Sequence, residues 1–386
     1  MTRRTIVDLH VLQTVPPSNL NRDDTGSPKT AKFGGTTRAR VSSQAWKRAT
    51  RVAFNDLLRP EELGVRTKRV VELLAARITE LDPALAEEAT ALAETALTAA
   101  GIKLAKVKRT TTAGESENFE AGYLVFLSRQ QITKLAEAAV AVAGDDDRTG
   151  ALKKSAKGLL NTDHSVDVAL FGRMVADDSD LSVDACAQVA HAISVHQVAN
   201  EFDYFTAVDD VKNEAKDEDA GAGMIGTVEF NSSTLYRYAT LDVDRLSEAL
   251  GTTEATRRAT EAFVRAFVES MPTGKQNTFA NRTLPDAIVV TVRDTQSINL
   301  VGAFEAPVTA LGDDSRLTVA ARRLAERATE VEQVLGQRPV QTWVVALGDA
   351  RKGLDGGAGL EGDRITLPEL SGAIGSLVEE RLGASQ

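Results

Sequence analysis

The sequence predicts a mixed sheet protein of the α+β or α/β class. Three observations carry that expectation. The chain opens with an alternating apolar and polar run, an Ala/Leu/Glu-rich stretch of helical period follows from about Glu61 to Lys106, and helices alternate with short β-rich runs toward the C-terminus. No internal repeat is visible.

In chain order, Thr5 to Thr14 reads as a strand ended by the turn pair Pro16-Pro17. A long polar loop then runs from Asn19 to Phe33-Gly34-Gly35. Ser42 or Ser43 is the N-cap candidate of a helix over Gln44 to Leu58, which Pro60 stops. Helical period returns in Val70 to Leu81, Ala84 to Ala100 and Arg129 to Val142, which together read as a mostly helical insertion. Strand-like runs follow at Val189 to Val198 and Thr227 to Ala239. Between them Val208 to Gly226, with six acids and two lysines, reads as a solvated loop or hairpin tip. Thr253 to Ser270 pairs a helix with the strand Ala287 to Val292, Ser315 to Leu335 does so with Val340 to Leu347, and a helix from Leu367 to Leu382 closes the chain.

Composition excludes several classes. With 42% hydrophobic and 26% charged residues among 386, neither disorder nor a membrane protein is indicated. No apolar run approaches the roughly 20 residues of a span, and Asp8 and His10 interrupt any apolar core of a signal peptide, so a cytoplasmic protein is expected. One cysteine, Cys186, forms no internal disulfide or thiolate zinc site and reads as a small buried side chain. His191 and His196, five apart, match neither one strand face nor a helical pair, so no metal and no cofactor are expected.

Net charge is −10, yet residues 1 to 51 hold ten Lys and Arg against three acids, a local +7 that leaves −17 elsewhere. A basic segment on an acidic body describes a localised anion site. Within it, Gln44, Lys47, Arg48 and Arg51 share one arc of the helix, while Ala45, Trp46, Ala49, Val52, Ala53 and Leu57 lie opposite. Cations near a helix start oppose its dipole unless an anion sits there. Just upstream, Gly34-Gly35, four hydroxyls and the guanidinium groups of Arg38 and Arg40 are groups that approach, donate to and grip phosphate. The Walker A pattern is absent, so nucleotide hydrolysis is not implied.

The runs Asn19-Leu20-Asn21-Arg22-Asp23-Asp24, Phe33-Gly34-Gly35 and Arg40-Val41-Ser42-Ser43-Gln44, continuing to Lys47-Arg48, resemble the N-terminal signature of the CasC-type backbone subunit of the type I-E CRISPR complex Cascade. Gly172-Arg173-Met174, Ala190-His191-Ala192-Ile193, His196-Gln197-Val198, Phe205-Thr206-Ala207-Val208-Asp209-Asp210 and Tyr236-Arg237-Tyr238-Ala239 extend the likeness in order. The C-terminal third matches only in element pattern. The resemblance implies an α+β fold: a palm of ferredoxin-like (RRM-related) topology, a helical fingers insertion and a thumb hairpin. Its boundaries would be 1–58, 187–198 and 227–386 for the palm, 59–186 for the fingers and 199–226 for the thumb.

It also implies a non-enzymatic subunit that binds CRISPR RNA. Copies would polymerise head to tail along the guide, which pairs with a target DNA strand, beside subunits of the CasA, CasB, CasD and CasE types. No membrane partner is implied. Arg22, Lys29, Ser42, Gln44, Lys47, Arg48 and Arg51 match family positions on the guide backbone, Met174 the methionine that wedges against a base, and Tyr204 with Phe205 the aromatic pair at the thumb base. Arg38, Arg40 and Lys275 complete the expected RNA-binding set. Tyr204 stands where the family would have Trp, and Thr36 where it would have a basic residue. Two other readings remain. In a metal-dependent RNA endonuclease, Asp23-Asp24 could hold a divalent cation, although the pair could equally hold Arg22 or Arg40 in place. A generic single-strand-binding protein fits poorly, because aromatic residues make up only 5% of the chain and such proteins rely on serial base stacking.

Overall fold

β-branched and apolar residues open the chain as one long strand, and a sheet assembles on it. The computed structural model describes residues 4–111, 114–153, 155–175, 179–207, 224–356 and 359–383. In order, the principal elements of the first half are β1 (Ile6–Ser18), β2 (Thr30–Phe33), β3 (Thr36–Val41), α1 (Ser43–Ala53), β4 (Gly64–Thr67), α2 (Val70–Leu81), α3 (Ala89–Ala99), β5 (Leu104–Thr111), β6 (Gly114–Ala121), β7 (Val125–Ser128) and α4 (Arg129–Ala141). There follow β8 (Ala187–Val189), β9 (Ala192–Ser194), β10 (Glu201–Ala207), β11 (Met224–Asp242), helices Val243–Leu250 and Thr253–Glu269, β12 (Ala287–Arg293), helix Arg316–Val334, β13 (Gln341–Ala346), β14 (Asp363–Arg364) and helix Leu367–Gly383.

The chain divides into two units. The first comprises Met1–Ala53, Val189–Thr240 and Phe263–Ala373. Its sheet runs β14-β13-β12-β1-β11-β9-β3-β2, with β10 also on β11. Neighbours are antiparallel in the pairs β1–β12, β12–β13, β11–β9, β3–β9, β2–β3 and β10–β11, and parallel in β13–β14. The architecture is therefore α+β, and the α/β option falls. One apolar cluster packs Leu12, Val289 and Val344 against Phe304, Leu324 and Ala328. A second joins Val15, Val41, Leu235 and Met271 around Trp46 of α1. Each fully buried Val, Leu, Phe or Met among them contributes about 1.5–3 kcal/mol.

The second unit comprises Phe54–Gln188, Leu241–Ala262 and Ile374–Gln386. Val70, Val71, Leu74 and Ile78, at helical spacing, turn one face of α2 toward buried residues of α3 and α4. Ser128 caps α4 in a reciprocal box with Gln131, at 2.9 and 3.0 Å.

Several boundaries differ from the sequence reading. β1 continues through Pro16-Pro17, because its pairing with β12 ends at Leu12 and the prolines owe no N–H there. The polar loop contains a hairpin, β2–β3, turned at Gly34-Gly35, both with positive φ as a two-residue primed turn requires. α1 ends at Ala53 and a 3₁₀ turn over Phe54–Asp56 follows. The helical insertion also contains the strand pairs β4–β7 and β5–β6. The expected hairpin tip lies outside the described residues over 208–223. Cys186 is buried, as read. Among the described residues no helix is long and apolar enough to cross a membrane.

Polar groups also enter the sheet. Asp8 pairs with Arg293 at 3.3 Å with both side chains buried, and it accepts from the Tyr238 hydroxyl at 2.8 Å and the Ile298 N–H at 2.9 Å. Beside them His10 is fully buried, its Nδ1 2.9 Å from the Tyr236 hydroxyl. Burial, and then the charge of Arg293, pushes its pKa from 6.5 down to about 3. The unfolded chain takes up this proton below about pH 6.5 and the folded chain resists until about pH 3, so stability is full above that window and declines as the pH falls through it. This residue alone should cost about 1.4 kcal/mol between about pH 7.5 and about pH 5.5. Urea unfolding midpoints at the two pH values measure it, and His10→Gln should lose that share of the dependence.

Candidate nucleic-acid interface

The cationic helix α1 is rooted through its buried side. Trp46 and Thr50 are buried while Gln44 and Arg48 are exposed, and Lys47 and Arg51 are intermediate. The guanidinium of Arg237, on β11, lies 3.7 Å from the Trp46 ring centroid and 4.6 Å from that of Phe267. It donates to Gln13 Oε1 at 2.6 Å and to the Phe267 carbonyl. Burial pushes its pKa down to about 9, so it stays a cation near neutral pH.

The arc read from the sequence survives with one exchange. Val52 is exposed beside Arg48, and the buried stripe is Trp46, Thr50 and then Phe54. Burial lowers the pKa of Lys47. Among the described residues Arg48 has no hydrogen bond or ion pair. Because α1 starts at Ser43, Lys47 and Arg48 fall in its second turn, and the dipole argument weakens; no acid occupies the first turn.

Ser42 is buried, and its hydroxyl accepts the Ala45 N–H at 3.3 Å while its own N–H donates to Asn21 Oδ1 at 2.9 Å. It caps the helix and ties it to the 19–29 loop, and because the oxygen only accepts in that cap, its O–H is left able to donate. Arg38 is a plain correction. It is fully buried, and it donates to the carbonyls of Ser194, Phe304 and Glu305 at 3.0 Å each and to Thr36 Oγ1 at 2.9 Å. It is an internal strut and cannot reach a phosphate. Gly34 has a packing role too, since a Cβ there would stand 1.6 Å from the Glu305 carbonyl oxygen.

Within the loop, Asp23 Oδ1 accepts from Thr25 N–H and Ser27 N–H at 3.0 Å and from Thr25 Oγ1 at 2.8 Å. These bonds hold its carboxyl below the usual range. Asp23 therefore closes its own turn and restrains neither Arg22 nor Arg40. A Cβ on Gly274 would meet the Leu20 carbonyl at 2.2 Å, so this backbone lies directly on the loop and, with residues 20–26, lines an open cleft of about 550 Å³. Arg22 stands in that cleft, and Lys275, in a left-handed conformation at φ 49°, directly follows Gly274. Lys29 is linked by its N–H to the Asn21 carbonyl at 2.9 Å. Arg40 donates from Nε to the Thr30 carbonyl at 3.2 Å, and its Nη1 lies 3.1 Å from His191 Nδ1. His196 is buried elsewhere: Nδ1 donates to the Gln197 carbonyl and Nε2 accepts from Thr234 N–H, so the two histidines do not converge on a metal. Among the described residues no group of three or more His, Cys, Asp or Glu could hold an ion.

Two expected contacts project from other elements. In the second unit Met174 is 85% exposed, on a base made rigid by Arg173, whose buried guanidinium donates to the carbonyls of Leu181 at 2.7 Å and Leu160 at 2.8 Å. In the first unit Tyr204 and Phe205 are exposed on β10 but face opposite sides. A Cβ on Gly226 would stand 2.3 Å from the Phe205 ring, so this ring lies over its cross-strand glycine. The aromatic sharing the Tyr204 side is Phe202; Phe202 is 67% and Tyr204 62% exposed. Strand alternation would have identified Phe202 once the strand over 201–207 was recognised. His191 carried no such signal, because its contact with Arg40 spans 151 positions.

The fold and surface define a large-sheet α+β protein bearing a solvent-facing cationic helix beside a braced polar loop. The chain belongs to the CT1975-like protein family, whose match covers residues 7–373. It is similar to a chain of a solved structure described as a CRISPR RNA-guided surveillance complex, pre-nicking, at 34% identity and TM-score 0.79 over 97% of this chain and 100% of that one. It is also similar to a chain of a CRISPR RNA-guided surveillance complex at 29% identity and TM-score 0.70, over 96% and 99%. No curated protein matches it.

The two kinds of arginine should separate in stability measurements. Arg38→Met leaves several carbonyls without donors and should cost about 3 kcal/mol or more, whereas Arg48→Gln should stay within about 0.5 kcal/mol. Chemical denaturation of both variants checks the contrast.

Proposed function

We propose that this chain is a CRISPR RNA-binding backbone subunit of a surveillance complex of the Cascade type, and of type I-E on the likeness of its N-terminal signature. The observation that carries the reading is the cationic face of α1, with Arg48 exposed and Lys47 and Arg51 half-exposed, on a chain alike over almost its full length to chains of CRISPR RNA-guided surveillance complexes. Arg22, Lys29, Arg40, Gln44, Lys47, Arg48, Arg51 and Lys275 then hold guide phosphates, while Met174, Tyr204 and Phe205 contact bases. Arg38 supports the site from beneath, and Ser42 caps α1 while offering its O–H to the guide backbone. Copies stack head to tail, a heterologous contact that propagates along the RNA, and guide pairing with target DNA supplies specificity while the protein holds the backbone.

The domain reading rests on strand order. With β1, β9, β11 and β12 taken as first to fourth, their neighbours run fourth, first, third, second, as in a ferredoxin-like palm. On that reading the α2–α4 region is the fingers and the β10–β11 ribbon the thumb base. The endonuclease reading is disfavoured because Asp23 is engaged by its own turn.

If α1 holds successive phosphates, binding should ignore RNA sequence and weaken with salt at a log-log slope of about −0.7 per phosphate. Arg48→Glu should lower affinity alike for every RNA and reduce that slope by about one. Fluorescence anisotropy across a salt series tests this, and a folded Arg48→Glu, Arg51→Glu double variant with unaltered affinity and slope would sink the reading. Guide and target RNA should also remain intact on gels with Mg²⁺ or Mn²⁺; cleavage abolished by Asp23→Ala would establish the nuclease instead.

A further inference from the structure

Of the four histidines in the chain, His10 and His196 are buried, His164 is half-buried, and only His191 is exposed. It sits just before β9, beside Arg40 of β3, and the Arg40 N–H bonds the Lys29 carbonyl at 2.9 Å, so three neighbouring segments bring two cations and an imidazole together. A guanidinium can only donate, so at 3.1 Å His191 Nδ1 must carry the lone pair and the ring proton resides on Nε2. Partial desolvation on the ring's inner side, then the charges of Arg40 and Lys29, holds the His191 pKa below its ordinary value. The ring is therefore neutral near pH 7, because a third cation would stand against Arg40 with nothing between them.

We infer that His191 is a proton-dependent phosphate ligand beside Arg40 and Lys29, so that each nucleic-acid phosphate bound there draws one proton onto the imidazole. The inference rests on the RNA-binding reading above. A phosphodiester oxygen offsets the repulsion between the two rings of charge, and the imidazolium and the guanidinium then both donate to it. The proton comes from solvent, and the imidazole becomes an imidazolium with no bond to the RNA formed or broken. By linkage the affinity for RNA rises as pH falls, with a slope up to about one log unit per pH unit where the free ring is neutral and the bound ring charged.

The test is anisotropy with the full chain and a single-stranded oligouridylate at about pH 6 and about pH 8, where wild-type affinity should differ roughly five- to ten-fold. His191→Gln should bind at the weaker level at both pH values. His191→Lys, charged throughout, should bind at the stronger level with little pH dependence. The His191 imidazole NMR signal should titrate at higher pH with RNA than without. A His191→Gln variant that binds RNA with the wild-type pH dependence overturns this inference and leaves the functional reading standing. Absence of RNA binding by the wild-type chain at either pH overturns both.

Discussion

The buried guanidinium of Arg237 is the contact on which the site depends. A cation fully removed from water costs several kcal/mol, and among the described residues no carboxylate neutralises it. Its compensation is the ring of Trp46 on one side, that of Phe267 near it, and charge-assisted bonds to Gln13 and the Phe267 carbonyl. Those partners come from α1, from the helix ending at Glu269 and from β1, so one side chain on β11 ties together the elements around the cationic helix. The exposed face of α1 keeps its direction because the opposite face is clamped.

Arginine serves two purposes here, and burial separates them. Arg38, Arg173 and Arg237 saturate carbonyl oxygens or aromatic faces, and Arg293 pairs with Asp8. Each holds segments distant in sequence in a fixed relation. Arg22, Arg40 and Arg48 face solvent or half-face it, on supports made rigid by the first group. Removing an internal arginine disturbs geometry, and removing an external one disturbs charge.

The 19–29 loop follows the same logic. Asp23 closes its turn, Asn19 donates to the Gly26 and Glu229 carbonyls at 3.0 Å, and Asn21 holds the start of α1. The polar residues of this loop satisfy backbone groups, which leaves Arg22 on a frame with little freedom. Preorganisation of this kind suits a surface that holds a repeating backbone without reading its bases.

Local pattern alone carried most of the elements: α2, α4, β12, β13 and the helices Thr253–Glu269, Arg316–Val334 and Leu367–Gly383 lie within a residue or two of the periodic runs that announced them, whereas the helix Gly348–Asp355 was not announced. The cationic arc of α1 was legible for the same reason, since helical spacing is a local fact, whereas Met174 was singled out only by the family resemblance. What sequence could not separate was Arg38 from Arg40. They stand two apart on β3, on the same side of the strand, with the same chemistry. The segment at Phe304 and Glu305 covers one, and His191 meets the other, across 266, 267 and 151 positions respectively. Periodicity determines which way a side chain points; only the tertiary fold decides what it meets there.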